Sequence, residues 1–249
     1  MKAGRFSVGR LASRLWLARK LRLVGVRRVL TLLLLPCWLA VLMQAAAGQT
    51  AARPPHDDVQ EWNDVQLTIP IEKRTSFILS GSLRLGDAAS RLVDERGGAG
   101  LNFKANKFLS ISPGWLYIAT QPVPGRHAYE NRLVLAVTGN LPLGQYLISD
   151  RNQAERRLLS GRPDTTRYRN RLQVERPVVI RDFALRLFAS AEIYYDHSVH
   201  AWLRKEYNVG VARNFTEHLS AEVNYRRRND HYSHPGDMHI VVTTLKIRL

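Results

Sequence analysis

Leu219-Ser220-Ala221-Glu222-Val223-Asn224-Tyr225-Arg226 carries apolar side chains at odd positions and polar ones at even positions. Successive side chains of an extended chain point to opposite faces, so this stretch reads as a strand with one apolar and one polar face. The same period runs outward in both directions. Toward the C-terminus it returns in Val241/Thr243/Leu245/Ile247/Leu249. Toward the N-terminus it returns in Leu203/Tyr207/Val209/Val211, Phe183/Leu185/Leu187/Ala189, Leu172/Val174 and Leu133/Leu135/Val137. Leu109/Ile111/Trp115/Tyr117, Leu101/Phe103, Phe77/Leu79/Gly81/Leu83/Leu85 and Val65/Leu67/Ile69 complete the series, with a weaker strand around Leu143 to Asn152. About eleven strands result, most of the roughly 9–11 residues that cross a bilayer at a tilt.

The expected connections alternate in length. Short ones fall near Glu72–Arg74, Asn106–Lys107, Gly139–Pro142, Pro177–Arg181 and Asn214–Glu217; longer polar ones fall near Gly86–Gly97, Thr120–His127, Arg157–Thr166, His197–Ala201 and Asn229–Met238. Short turns on one side and longer loops on the other are the habit of outer-membrane barrels. A barrel with both ends in the periplasm needs an even strand number, so the odd count predicts one strand missed or merged, within about 10–12 strands.

Alternating strands also build soluble β-sandwiches and lipocalin-like barrels. What separates the three is the charge on the polar face, where both signs recur in register: Glu130 and Arg132; Arg169, Arg171 and Glu175; Arg186 and Glu192; Arg204 and Glu206; Glu222 and Arg226; Lys246. Such charges can pair across strands inside a narrow barrel, where an unpaired ion is costly. The expected fold is an all-β, antiparallel up-and-down transmembrane β-barrel. Odd positions such as Leu83, Leu133, Leu185, Val223 and Leu245 should face out, and Arg132, Glu192, Glu222 and Lys246 in.

The formal charge of +16 is concentrated at the N-terminus. Residues Met1–Ala47 hold nine of the 37 Lys plus Arg and no acid, leaving 28 against 21 acidic residues, about +7, in the remainder. A basic stretch, the apolar run Val29–Met43 and Ala45-Ala46-Ala47 have the order of a secretory signal cleaved before Gly48. The domain reading is therefore signal peptide 1–47, flexible lead 48–59 and barrel 60–249. Cleavage removes Cys37, the single cysteine, and with it disulfides and thiol chemistry. Export also removes the chain from cytoplasmic nucleic acid, so the expected partners are outer-membrane lipid and, during insertion, the barrel-assembly machinery.

Glu61-Trp62-Asn63-Asp64, Glu130-Asn131-Arg132, Ser149-Asp150-Arg151-Asn152 with Glu155-Arg156, Tyr168-Arg169-Asn170-Arg171-Leu172 and Glu192-Ile193-Tyr194-Tyr195-Asp196 occur in that order. With the terminal strand, they make the chain from about Gln60 to Leu249 resemble an uncharacterised bacterial envelope family, domain of unknown function 2490. The resemblance implies an outer-membrane β-barrel and brings no catalytic residues. The terminal Leu249 departs from the aromatic residue that usually closes such barrels.

No motif points to a reaction or a cofactor. Asp230, His231, His234 and Asp237 read as solvated loop residues, lacking a ligand spacing such as His-Glu-x-x-His. No Gly-x-Ser-x-Gly is present. Arg96-Gly97-Gly98-Ala99-Gly100 lacks a phosphate-loop ending and reads as a turn entering a strand. Trp62, Trp115, Tyr117, Tyr129, Tyr168, Tyr194, Tyr195, Trp202, Tyr207 and Tyr225 read as interfacial girdles. The expectation is a non-enzymatic envelope component or restricted channel with a charged lumen. A lipid- or peptide-acting outer-membrane enzyme and a soluble periplasmic binding barrel are the alternatives.

Overall fold

The computed structural model describes residues 56–249. The expected signal segment and residues 48–55 of the lead lie outside the described residues; residues 57–59 of the expected lead are part of β1. Eleven strands follow in chain order: β1 (Asp57–Pro70), β2 (Thr75–Gly86), β3 (Arg91–Lys104), β4 (Leu109–Val123), β5 (Arg126–Leu143), β6 (Tyr146–Leu159), β7 (Thr165–Ile180), β8 (Phe183–Asp196), β9 (Ala201–Asn214), β10 (Leu219–Asp230) and β11 (Asp237–Arg248). Each pairs antiparallel with its sequence neighbours, and β1 pairs with β11 to close a barrel.

That closing pair is parallel, running from Asp57↔Asp237 to Thr68↔Arg248. Eleven strands thus close the barrel, and the expected additional strand is not found among the described residues. An odd count forces the first and last strands to run the same way. Asp57 therefore lies at one rim and Leu249 at the other; these are called here the Asp57 rim and the Leu249 rim.

Strands of 12 to 18 residues exceed what a bilayer crossing requires. The surplus absorbs the expected long loops. At the Asp57 rim the connections shrink to Asp87–Ser90, Pro124–Gly125, Ser160–Asp164, His197–His200 and His231–Gly236. Charged residues at those strand ends look like loop residues by composition but keep period two and their ladder bonds. Gly139–Pro142 lies inside β5 and Pro177–Ile180 inside β7; the turns are Gly144–Gln145 and Arg181–Asp182. The glycine run 97–100 is also mid-strand, not a turn. There β3 and β4 approach closely: a Cβ on Gly100 would lie 2.8 Å from the Pro113 carbonyl oxygen. Pro113 lacks an N–H, and the β3–β4 pairing is interrupted beside it, between Gly100↔Gly114 and Phe103↔Ile111, without a change of register.

Turn length sets which parity faces in. Across the four-residue turns odd positions come to pair with odd positions, directly at 71–74, 105–108 and 215–218 and through a register shift beside Asp87–Ser90 and His197–His200. The two-residue turn Gly144–Gln145 pairs Leu143 with Tyr146, so β6 exchanges faces and even positions point outward there and in β7. Arg181–Asp182 pairs Ile180 with Phe183 and restores the original phase. Pro124–Gly125 leaves the phase unchanged because a register shift between Thr120 and Val123 compensates.

The exterior is apolar. Leu83, Leu133, Leu187, Val209, Val223 and Val241 are exposed on it, while Arg132, Glu192 and Glu206 are buried inside. That inverts a soluble fold, in which the apolar face would be the core, and it is the pattern of a barrel whose solvent is lipid. Trp115, Tyr117, Tyr129, Tyr168, Trp202, Tyr207 and Tyr225 stand on the outside, and Phe103, Phe108, Tyr146, Phe183 and Phe215 ring the Leu249 rim. Trp62 and Tyr194 are exceptions to the expected girdle, being 1% and 3% exposed in the lumen. Both occupy even positions in strands whose apolar face is odd.

Candidate functional site

The inside of the barrel divides along its length. Toward the Asp57 rim it is filled: Glu155 and Glu206 are 0% exposed, and Gln60, Ile118, Glu130, Arg132 and Gln153 are buried. Toward the Leu249 rim the inward positions carry small polar side chains, including Ser76, Ser80, Ser82, Ser110, Ser112, Ser149, Ser190 and Ser220, and none of these serines is buried. The result is a polar vestibule that ends on a plug of charged side chains.

The plug is built from carboxylates, most of which hold more than one guanidinium. On β5 to β8, Glu130 accepts from Arg132 at 2.8 Å and from Arg157 through both carboxylate oxygens at 2.8 Å. Arg157 reaches on to Asp196 at 3.2 Å, which also binds Arg167 and the Thr165 hydroxyl. Glu155 lies 3.2 Å from Arg132 and 2.8 Å from Arg169, and Arg169 continues to Glu192 at 2.7 Å. On β9 and β10, Glu206 holds Arg228 at 2.7 Å and Arg226 at 3.4 Å, while Asp230 holds Arg204 at 2.6 Å. Asp94 is bound by Arg96 at 2.6 Å and lies 3.7 Å from Arg84.

Two aromatic rings lie against the same guanidiniums that these carboxylates hold. Arg84 lies 3.5 Å, Arg228 4.7 Å and Arg226 5.0 Å from the Trp62 ring centre. Arg169 and Arg204 flank Tyr194 at 4.6 and 5.3 Å. A guanidinium is attracted to the negative face of a π-system, and Trp is the best such face. Trp62 is also fixed by packing on Met238, Ile240 and Val242 of β11 and by donating its ring N–H to Gln60 at 2.8 Å. A separate group near the Leu249 rim joins Glu175, Arg186, Glu222 and Lys246.

All twelve charges singled out in the sequence point inward, and eleven of them enter these ion pairs. Arg171 does not: it has no acidic partner among the described residues. The sequence reading missed Arg84, Asp94, Arg96, Glu155, Arg157, Arg167, Asp196, Arg228 and Asp230. Asp94, Arg96, Arg157 and Asp230 sit where strands run on through what composition marks as loops, yet Asp94-x-Arg96, Glu155-x-Arg157 and Arg167-x-Arg169 keep the period and are the signal for this group.

The histidine-rich connection is not one site. Asp230 belongs to β10, binds Arg204 and caps the following turn through the amides of Tyr232 and Ser233. Asp237 opens β11 and is taken by Arg227 and Asn229. His56, Asp57 and Asp237 do bring ligand-type atoms within 4.8 Å of one another at the exposed rim. His56 is committed to the Asp57 carboxylate at 3.0 Å, which raises its pKa above the ordinary imidazole value.

A family described as "Protein of unknown function (DUF2490)" matches residues 59–239. The chain belongs to this family. No curated protein matches the sequence. Among solved structures the DUF2490 chain is similar to LpxR from Salmonella typhimurium, with TM-score 0.45 and 9% identity over 70% of this chain and 83% of that one. It is also similar to an anion-selective porin from Comamonas acidovorans, with TM-score 0.38 and 15% identity over 71% and 53% of the two chains. For outer-membrane expressed OmpT of Vibrio cholerae the values are 0.34, 13%, 62% and 54%.

Proposed function

We propose that this protein is a resident of the bacterial outer membrane whose lumen is closed by its own ion pairs, acting as an envelope component or restricted channel and not as an open pore. The observation that carries the reading is the complete burial of Glu155 and Glu206, each within ion-pair reach of two guanidiniums inside the barrel. Water in an open channel would screen such charges and leave them accessible; the burial of both supports closure. Lipid contacts the apolar exterior, and insertion requires barrel-assembly machinery after export through the basic and apolar N-terminal segment.

The reading is also non-enzymatic. Its most buried carboxylates are neutralised by arginine, a state suited to holding a structure together and not to exchanging protons with a substrate.

Planar-bilayer recording of the full barrel tests the closure. The expected trace shows no steady conductance at moderate voltage. A stable ohmic conductance in the wild type would overturn it. Mass spectrometry of the envelope protein tests export, with a start within a few residues of Gly48 expected and a peptide spanning Val29 to Thr50 counting against it.

A further inference from the structure

Where the vestibule meets the plug, two cations stand outside the ion pairs formed among the described residues. Arg151 on β6 lies directly opposite Arg171 on β7, both on the lumen face. Like charges opposite one another across an antiparallel pair are destabilising. The Arg151 Nε is buried and has no hydrogen-bond partner. Neither guanidinium has an acidic partner among the described residues. Glu192 is the register partner of Arg171 on β8, but its carboxylate is turned to Arg169, at 2.7 and 3.0 Å, and to the Tyr194 hydroxyl at 3.2 Å.

Their position is the junction of the two halves. One inward step toward the Asp57 rim is Gln153, which is buried; one step toward the Leu249 rim is Ser149, which is not. The neighbour of Arg151 on β5 is Thr138, a hydroxyl that donates to anions and carries no charge of its own. The vestibule thus leads to a floor bearing two fixed positive charges, with the neutral Thr138 on one side and, on the other, Glu192, whose carboxylate is engaged by Arg169.

We propose that Arg151 and Arg171 form a binding site for the oxyanion group of a small solute, a phosphate or carboxylate, that enters from the Leu249 rim. Each guanidinium presents a planar fork of donors that matches such a group, and charge-assisted pairs of this kind are the stronger hydrogen bonds. One bound oxyanion would neutralise the like-charge contact and satisfy the orphaned donor of Arg151. A lipid headgroup cannot serve, because both side chains face away from the bilayer. The site requires the barrel but not the closure: conduction in a bilayer would end the closed-lumen reading and leave the anion response of the detergent-solubilised protein as a separate result.

The test uses the full barrel in detergent with inorganic phosphate replacing chloride at constant ionic strength. Phosphate is expected to raise the unfolding temperature of wild type and to broaden its own 31P resonance. Arg151→Gln and Arg171→Gln should each weaken that response about tenfold, the loss of one charge-assisted contact. In chloride alone Arg171→Gln should leave the unfolding temperature unchanged or higher, because repulsion is removed; a clear fall would mark a structural ion pair and defeat the proposal. A wild-type protein indifferent to phosphate, or one whose response survives in both variants, would do the same. If a glutamine variant does not fold, Arg151→Lys, which keeps the charge but loses the fork, reads the same affinity, and an undiminished phosphate response there overturns the site.

Discussion

Asp57 opens β1 opposite Asp237, the first residue of β11, so the two strands that seal the barrel run side by side in one direction. The first described strand consequently starts at one rim and the last ends at the other. A cysteine placed at Ala88, in the Asp57-rim turn, should react with a membrane-impermeant thiol reagent from the opposite side of the membrane to a tag fused after Leu249. Labelling intact and permeabilised cells checks this, and exposure of both on the same side would refute the parallel closure.

Removing a carboxylate from the plug leaves buried guanidiniums unpaired, a loss of roughly 3–5 kcal/mol for a buried pair, against about 0–1 kcal/mol for an exposed one. Glu206→Ala leaves Arg226 and Arg228 without an acidic partner, and Glu192→Ala takes from Arg169 one of its two carboxylates, Glu155 remaining, and from the Tyr194 hydroxyl its acceptor. Both variants should lower the unfolding temperature of the detergent-solubilised protein clearly. Arg162→Ala, in the exposed Ser160–Asp164 turn, should not.

The two kinds of tryptophan should separate by quenching. Trp115 and Trp202 are 45% and 53% exposed on the apolar exterior, whereas Trp62 is enclosed in the lumen. In variants keeping one of the three, brominated lipid should quench Trp115 and Trp202 and spare Trp62. Trp62→Ala should additionally cost about 3–5 kcal/mol, the range for emptying a packed aromatic site.

Gly210 offers a test of packing inside the wall. A Cβ there would lie 2.5 Å from Asn224 Cβ, 2.6 Å from the Val223 carbonyl oxygen and 2.7 Å from Phe188 Cζ. Gly210→Ala should destabilise by about 1–3 kcal/mol through overpacking. Gly97→Ala, whose Cβ would meet nothing within 4 Å, should be close to neutral in the same melting experiment.

Period two carried the fold because it is a local property: Leu219 to Arg226 declares two faces without reference to any other strand, and the sign of the charges on the polar face declares which is inside. Strand ends were less legible. Asp94, Arg157 and Asp230 look like loop residues because a strand that continues beyond the apolar band has no apolar partner residues to mark it. The parallel closure was legible only through the odd count of about eleven, which the expectation of an even barrel set aside; nothing local to Asp57 or Asp237 distinguishes a neighbour ten strands away. The same holds for the isolation of Arg171. Its register partner is an acid, and only the three-dimensional choice of Glu192 for Arg169 leaves it alone.

The two-residue turns at Gly144–Gln145 and Arg181–Asp182 give this barrel something like a reading frame. Between them β6 and β7 present the opposite parity from the other nine strands, and each turn is the only device that makes the exchange. One residue inserted into either, with no bulge to absorb it, would send Leu172 and Val174 into the lumen and Arg169 and Arg171 into lipid, or else force the downstream strands to invert. Length changes at these turns are therefore tolerated in pairs and not singly, while the five-residue Ser160–Asp164 connection, with slack and an exposed course, is where this chain can lengthen without shifting frame.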